Sequence, residues 1–266
     1  MRLAAEGVTI RFGPRTVLDR VSLSVEPGAF VGLVGGNGAG KTTLLRALAG
    51  LVPLDAGRVL CDGRDLADVP AQIRARRIAC LFQAQTPGWP MPAEEIVALG
   101  RLPHRAAFAA PTAGDHAAVD RAMRATDTLH LRGRPDTALS SGERMRVLLA
   151  RALAVEAEIL LADEPVTALD PGHGLDTMAL LRALAAAGTG VVAVLHDLTL
   201  AARFCDRVAV LDRGRLVEDG PPATALSDAV LRDAFGIEAA RGRVGDDGYL
   251  VPWRRAAIPP REENRP

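Results

Sequence analysis

Gly35-Gly36-Asn37-Gly38-Ala39-Gly40-Lys41-Thr42 is the stretch on which the reading of this chain turns. It fits the pattern G-x-x-x-x-G-K-[ST], a loop whose glycines let backbone N–H groups curl inward around an anion. Its context is the required one. Phe30 to Val34 is a short apolar run read as a buried strand. Thr42 to Ala49 reads as a helix with Leu44, Leu45 and Leu48 on one face and Gly50 as its stop. A helix N-terminus directly behind the loop adds positive potential. Lys41 would neutralise the outer phosphates of a nucleotide, and the Thr42 hydroxyl would ligate Mg²⁺. At average residue usage the bare pattern arises by chance in about one chain in a hundred, and the flanking elements lower that further. A dinucleotide-binding loop is disfavoured, because G-x-G-x-x-G is absent.

Composition sharpens this. Of the 32 basic residues one is a lysine, Lys41, and the rest are arginine. Codon bias with one accidental lysine is the bland reading; its place in the loop favours the other, since a compact ammonium suits end-on approach to phosphate. The basic residues balance 32 acidic ones, so no global attraction to nucleic acid or anionic lipid is expected. Hydrophobic residues at 48% exclude a disordered chain, and 3% aromatics leave the core to Leu, Val and Ala. A chain of 266 residues buries about 75% of its unfolded surface and needs no disulfide or metal staple. Cys61, Cys80 and Cys205 are far apart and form no metal spacing, so buried reduced thiols are expected. Glu6 and Arg11 interrupt any apolar leader. The longest apolar candidate, Ala183 to Leu195, carries Gly188, Thr189 and Gly190 and falls short of a membrane span. The chain is expected to be soluble by itself.

Outward from the loop, Val8, Ile10 and Phe12 alternate with polar residues, and Val17, Val21, Leu23 and Val25 suggest a second strand. Arg58 to Cys61 is a further strand. Thr86 to Pro92 (TPGWPMP) cannot continue helix or sheet. Ala93 to about Ala154 is helical in pattern, with a break near Phe108 to Gly114. Ile159 to Ala162 and Val191 to Leu195 are buried strands, Met178 to Ala187 a helix, and Val208 to Leu211 with Leu216 to Glu218 a hairpin. Strands alternating with helices imply an α/β fold with a mostly parallel sheet.

Ile159-Leu160-Leu161-Ala162-Asp163-Glu164-Pro165 carries the second signal. A phosphoryl-transfer ATPase needs one carboxylate for Mg²⁺ and another to orient or deprotonate water. At a strand's C-terminal end Asp163 can point to the metal and Glu164 to the water, although such a pair alone is more often a solvated strand end. Leu139-Ser140-Ser141-Gly142-Glu143 reads as a helix start, with Ser140 and Glu143 in a capping box. That arrangement is also an anion site.

The phosphate loop, the LSSGE stretch ahead of Arg151-Ala152-Leu153, the LLADEP strand, Ala168-Leu169-Asp170 and Leu195-His196-Asp197 stand in the order of ATP-binding cassette (ABC) transporter ATPases, which this chain resembles over roughly residues 3–225. The resemblance implies a P-loop NTPase fold with a RecA-like parallel-sheet core, an N-terminal antiparallel β subdomain and an inserted α-helical subdomain. The expected division is an ATPase domain over 1–235, its helical insert at about 86–155, and an extension over 236–266 whose tail, Pro- and charge-rich from Arg254, frays.

The same resemblance implies residue roles. Phe12 would stack on adenine, with Gly35, Gly36, Asn37, Gly38, Ala39, Gly40, Lys41, Thr42 and Thr43 holding the ATP phosphates. Thr42, Gln83 and Asp163 would serve Mg²⁺; Glu164, His196 and Gln83 would be catalytic, His196 by touching the γ-phosphate. Ser140, Ser141, Gly142, Glu143 and Asp170 would face ATP bound by the opposite protomer of a head-to-tail dimer. His104, His116, His130 and His173 lack such context and are read as surface residues. Two positions depart from the family pattern: Ser141 replaces the first glycine of LSGGE, and Gly36 stands where proline is common.

Gly100-Arg101-Leu102-Pro103-His104 and the tail Ala229 to Val251 further resemble the ATPases of iron–siderophore, haem and cobalamin importers. The implied partners are a second copy, membrane permease subunits and, indirectly, a substrate-binding protein, with no nucleic acid. The implied location is the cytoplasmic face of the inner (plasma) membrane. An exporter or another importer class remains open. So does a soluble ABC protein of DNA repair or translation, though those usually carry two cassettes or long coiled-coil insertions.

Overall fold

The computed structural model describes residues 1–82, 90–245 and 247–256. The chain starts with two long strands, β1 (Leu3–Phe12) and β2 (Arg15–Val25), and a fully buried one, β3 (Phe30–Gly35). With β4 (Ala56–Cys61) and β5 (Arg64–Asp65), the first two form a sheet of order β2-β1-β4-β5, antiparallel throughout. β3 lies in a different sheet. Its companions are β6 (Ile78–Leu81), β7 (Ile159–Asp163), β8 (Gly190–Val194), β9 (Arg207–Asp212) and β10 (Arg215–Gly220). Their order is β10-β9-β3-β8-β7-β6, and only β10 runs antiparallel.

The parallel sheet is covered on both faces, which is why its strands read as continuous apolar runs. Alternate residues face alternate cores. Val31 and Leu33 join a core shared with β1, β2 and helix α1 (Lys41–Leu48), which is wedged between the two sheets. Phe30 and Val34 face the opposite core, under the remaining helices. After α2 (Ala71–Arg77) and β6, the chain leaves the sheet for α3 (Ala93–Ala98), α4 (Ala113–Ala125) and α5 (Ser141–Leu153) before returning as β7 beside β6. The expected α/β fold with a helical insertion is therefore the observed one.

The stretch Gly100 to His104 is the seam of that insertion. Arg101 is buried and bonds Asp115 of α4 at 3.0 Å, Glu156 at 3.0 Å and the Ala154 carbonyl at 2.8 Å. The Thr112 N–H and hydroxyl, then Arg101, hold the Asp115 carboxyl well below the usual range. At Gly100 a Cβ would lie 2.2 Å from the Arg151 carbonyl, so α5 passes too close for any side chain.

Three features were not foreseen. α6 (Pro171–Ala186) begins at Pro171 rather than Met178, because the Asp170 carboxylate accepts from the Gly172 and His173 N–H groups at 3.0 and 3.1 Å. Gly172 and Gly174, poor helix formers, concealed that first turn. Strand β6 and helix α2 had no clear sequence signal. After α7 (Leu198–Phe204), a C-terminal hairpin of β11 (Ile237–Val244) and β12 (Asp247–Arg255) forms where no strand was expected. Ala239, Ala240 and Gly242 blur its alternation. Arg254 and Arg255, assigned from sequence to the terminal tail, sit in β12, where Arg254 bonds Glu238 at 2.8 Å. Among the described residues no helix is long and apolar enough to cross a membrane. Cys61, Cys80 and Cys205 are free thiols, and burial pushes Cys80 and Cys205 up to about 12.

Candidate nucleotide site

β3 ends in Gly35, and α1 starts at Lys41; of the three glycines with positive φ in this stretch, Gly35, Gly38 and Gly40, two have no room for a side chain. Gly35 has φ of 153°, and a Cβ there would stand 2.1 Å from the Leu211 carbonyl of β9. Gly40 has φ of 104°, and its Cβ would press on Leu18 at 2.8 Å and the Val17 carbonyl at 2.9 Å. Gly36 differs: nothing lies within 4 Å of a Cβ built there. Gly35→Ala is therefore expected to destabilise the fold by about 1–3 kcal/mol, while Gly36→Ala leaves the urea midpoint within experimental scatter. Equal midpoints for the two variants would contradict this account of the loop.

The loop leaves α1 with an open N-terminus. Thr112, Ser140, Asp170 and Asp197 cap α4 to α7 with their side chains, but Gly40 offers α1 none. Unmet N–H groups at a helix start favour an anion. Lys41 is 7% exposed, and its Nζ donates to the carbonyls of Gly35 at 2.8 Å and Gly36 at 3.0 Å. Burial draws its pKa down, while Glu164 and Asp163 pull it back up.

β7 delivers the carboxylates. The Thr42 hydroxyl donates to Asp163 Oδ1 at 3.2 Å. Asp163 is 3% exposed, and burial pushes its pKa up. A buried carboxylate beside a hydroxyl is a pair of hard oxygen donors whose charge wants a cation. These residues fit Mg²⁺, which takes one or two protein oxygens and completes its shell with phosphate and water. Glu164 follows at φ of 54°, uncommon for a residue other than glycine. From that turn its side chain reaches the residue just past β8, while its charge still acts on Asp163. Glu164 Oε1 lies 2.7 Å from His196 Nε2, and Oε2 accepts from the Thr167 hydroxyl at 3.1 Å. Strain at such a position is a recurrent mark of functional sites.

These pieces meet in one cleft of about 390 Å³, lined by Phe12, Arg15, the loop from Asn37 to Thr43, Glu164 and His196. Phe12 is 57% exposed, so its ring face is free for a flat partner. Arg15 was not singled out from the sequence, since nothing local distinguishes it among so many arginines; Thr167 was missed for a similar reason. Gln83 lies outside the described residues.

The signature residues are elsewhere. Ser140 caps α5, its Oγ accepting from the Glu143 N–H at 3.2 Å while Glu143 Oε2 accepts from the Ser140 N–H at 2.8 Å. A Cβ on Gly142 would lie 3.3 Å from the Ala168 carbonyl, which sets this helix start beside the turn carrying Asp170. Ser140 and Ser141 are exposed, and neither they nor Gly142, Glu143 or Asp170 line the cleft. Asp170 forms a separate cavity of about 560 Å³ with Val166, Leu175 and Leu200, and this cavity shares His196 with the cleft. Of the other histidines, His116 and His130 are exposed as expected. His104 is half-buried and bonds the Val155 carbonyl at 2.8 Å, and His173 is half-buried and bonds Asp170 at 2.5 Å.

Comparison with known proteins agrees with this geometry. The profile of the ABC transporter family matches residues 18–167. The hemin import ATP-binding protein HmuV of Rhodococcus jostii (strain RHA1) is 46% identical over 255 residues, covering 95% of this chain and 86% of that protein. The cobalamin import ATP-binding protein BtuD of Halobacterium salinarum (strain ATCC 700922) is 42% identical over 243 residues, 91% of this chain and 61% of that one. Among solved structures, one described as an inward-facing metal-chelate type ABC transporter superposes with a TM-score of 0.81 at 23% identity, covering 94% and 97% of the two chains. A dimeric ATP-binding cassette bound to ADP and Pi gives 0.73 at 28% identity, covering 83% and 98%. A family profile over more than half the chain, and relatives above 40% identity along most of it, fit the open helix start, the lone lysine and the paired carboxylates: this chain belongs to the ABC transporter family, as an ATP-binding, ATP-hydrolysing subunit.

Proposed function

We propose that this chain drives uptake of haem, an iron–siderophore chelate or a cobalamin, acting as two head-to-tail copies on the cytoplasmic face of the plasma membrane beneath a permease fed by a substrate-binding protein. The observation that carries the reading is the division of the chemistry. Phosphate loop, Glu164 and His196 line one cleft, with Asp163 held behind it by Thr42, while Ser140, Ser141, Gly142, Glu143 and Asp170 do not line it. A single copy thus holds only half of each nucleotide site, and a second copy supplies the rest. The names of the relatives, hemin and cobalamin import proteins, support the direction and class of cargo.

In this reading Phe12 stacks on the adenine, and Gly35 to Thr43 cradle the phosphates. Lys41 gives up its two carbonyl partners for phosphate oxygens, exchanging neutral acceptors for charged ones. Thr42, Asp163 and Gln83 hold Mg²⁺, which neutralises charge on the terminal phosphates when bound. Glu164 takes the proton of the attacking water, and His196, already 2.7 Å from it, contacts the γ-phosphate. From the other copy Ser140 and the α5 N-terminus close over that phosphate. Dimer closure and reopening are passed to the permease through the helical insertion at 86–155, and the segment 236–266 stands as an extension of the ATPase domain 1–235.

Ser141 is exposed at the first position of α5. Ser141→Gly is expected to hydrolyse ATP at the wild-type rate or faster, and a collapse in turnover would give the serine a role of its own. The transport reading is tested by affinity capture of the full chain from detergent-solubilised membranes. A many-span permease should co-purify, and the reconstituted pair should accumulate one of the three cargo classes in liposomes only with MgATP. Capture of ribosomes or DNA without a permease, or outward movement of cargo, would overturn it.

A further inference from the structure

The C-terminal hairpin is fastened at several points. The Ala256 N–H donates to the Gly236 carbonyl at 2.8 Å and closes the base. Arg241 of β11 reaches back to Asp228 and the Leu226 carbonyl. Leu250 of β12 is 4% exposed, the one fully buried residue among those described in the hairpin, and it joins Leu198, Ala201 and Leu231 in the helical-side core. Its carbonyl accepts the Thr199 hydroxyl at 2.6 Å. Thr199 is also held from within its own helix, its N–H donating to Asp197 Oδ1 at 2.7 Å.

Thr199 is the second residue of α7, two past the cap Asp197 and three past His196. α7 has seven residues, too few to hold its own geometry in isolation. The start of this helix, and with it the backbone that aims His196, is held by the Asp197 cap, which accepts from the Thr199 and Leu200 N–H groups, by the burial of Leu198 and Ala201, and from outside by the Leu250 carbonyl on Thr199. The imidazole so aimed lies 2.7 Å from Glu164.

We propose that Thr199 is a positioning residue, through which the C-terminal hairpin sets the register of His196 against Glu164 and the terminal phosphate. The proposal rests on the reading of His196 as a γ-phosphate contact. It gives the segment after residue 236 a part in hydrolysis although none of its described residues lines the nucleotide cleft.

The test is a double-mutant cycle on the full chain, with kcat, KM and ATP affinity measured for T199V, T199S, H196A and H196A/T199V. Valine keeps the shape and removes the hydroxyl. T199V is expected to lower kcat about 3- to 10-fold, the worth of one hydrogen bond, with ATP affinity within twofold of wild type. T199S should restore turnover, and the double variant should be no slower than H196A. Wild-type turnover in T199V while H196A is slow would overturn the proposal alone. So would an undiminished T199V effect in the H196A background, or a loss of ATP affinity matching the loss of turnover. H196A at the wild-type rate would instead remove the reading of His196 on which the proposal stands.

Discussion

Glu164→Gln is expected to bind ATP with near wild-type affinity, to turn it over about 10²–10⁴ times more slowly, and to elute as a dimer in MgATP. The expectation follows from where the carboxylate stands. Glu164 follows β7 in a left-handed conformation and bonds His196 and Thr167, whereas Asp163 bonds Thr42. In the proposed mechanism Asp163 holds a cation, and Glu164, so bonded, accepts a proton. The amide keeps the size of the side chain and can still bond Thr167 and His196, so fold and binding survive while the base is lost. In the proposed cycle hydrolysis reopens the dimer, so blocking it should trap the closed form. A variant that stayed monomeric in MgATP and turned over normally would contradict both the role of Glu164 and the composite site.

Lys41→Ala is expected to remove tight ATP binding altogether, measured by titration with a fluorescent ATP analogue or by calorimetry. Lys41 carries the only ammonium side chain in the sequence, and the structure keeps it buried at a cost. Desolvation pulls its pKa down, and its main partners are two neutral carbonyls. Such a charge is under-served until an anion arrives, and a hydrogen bond between ionised partners is roughly twice as strong as a neutral one. Alanine also leaves the Gly35 and Gly36 carbonyls without the donor they share. Retained affinity would mean that the α1 N-terminus and backbone suffice, and the assignment of the loop would have to be revised.

The helical insertion shows how a local motif acquires a structural purpose. Gly100 to His104 carries part of the resemblance to importer ATPases. In the fold it is a joint: Gly100 admits the α5 backbone at close range, and Arg101 ties α3, α4 and the end of α5 together. A buried arginine with two carboxylate partners ties these elements together, as the proposed role of the insertion in passing motion to a permease requires.

The phosphate loop, the LLADEP strand and the LSSGE helix start were legible in the sequence, because each is a contiguous run whose chemistry and local structure coincide. Glycines at fixed spacing, an apolar run ending in two acids, and a serine three residues ahead of a glutamate report backbone geometry without any knowledge of distant partners. Family order then named the lone residues Phe12, Asp170 and His196, which periodicity could not have done.

What the sequence by itself determined was therefore the local: which backbone groups can ring an anion, where strands are buried on both faces, and which residues carry charge near them. Only the tertiary structure decided the rest. It brought His196 at the end of β8 within 2.7 Å of Glu164 at the end of β7, lodged Arg15 in the cleft, and closed the C-terminal hairpin onto α7 through Thr199 and Leu250. Those contacts join segments far apart in the chain. They depend on strand order in a sheet and on which helix face a hairpin finds, and such pairings arise from packing the whole core rather than from any short run of residues.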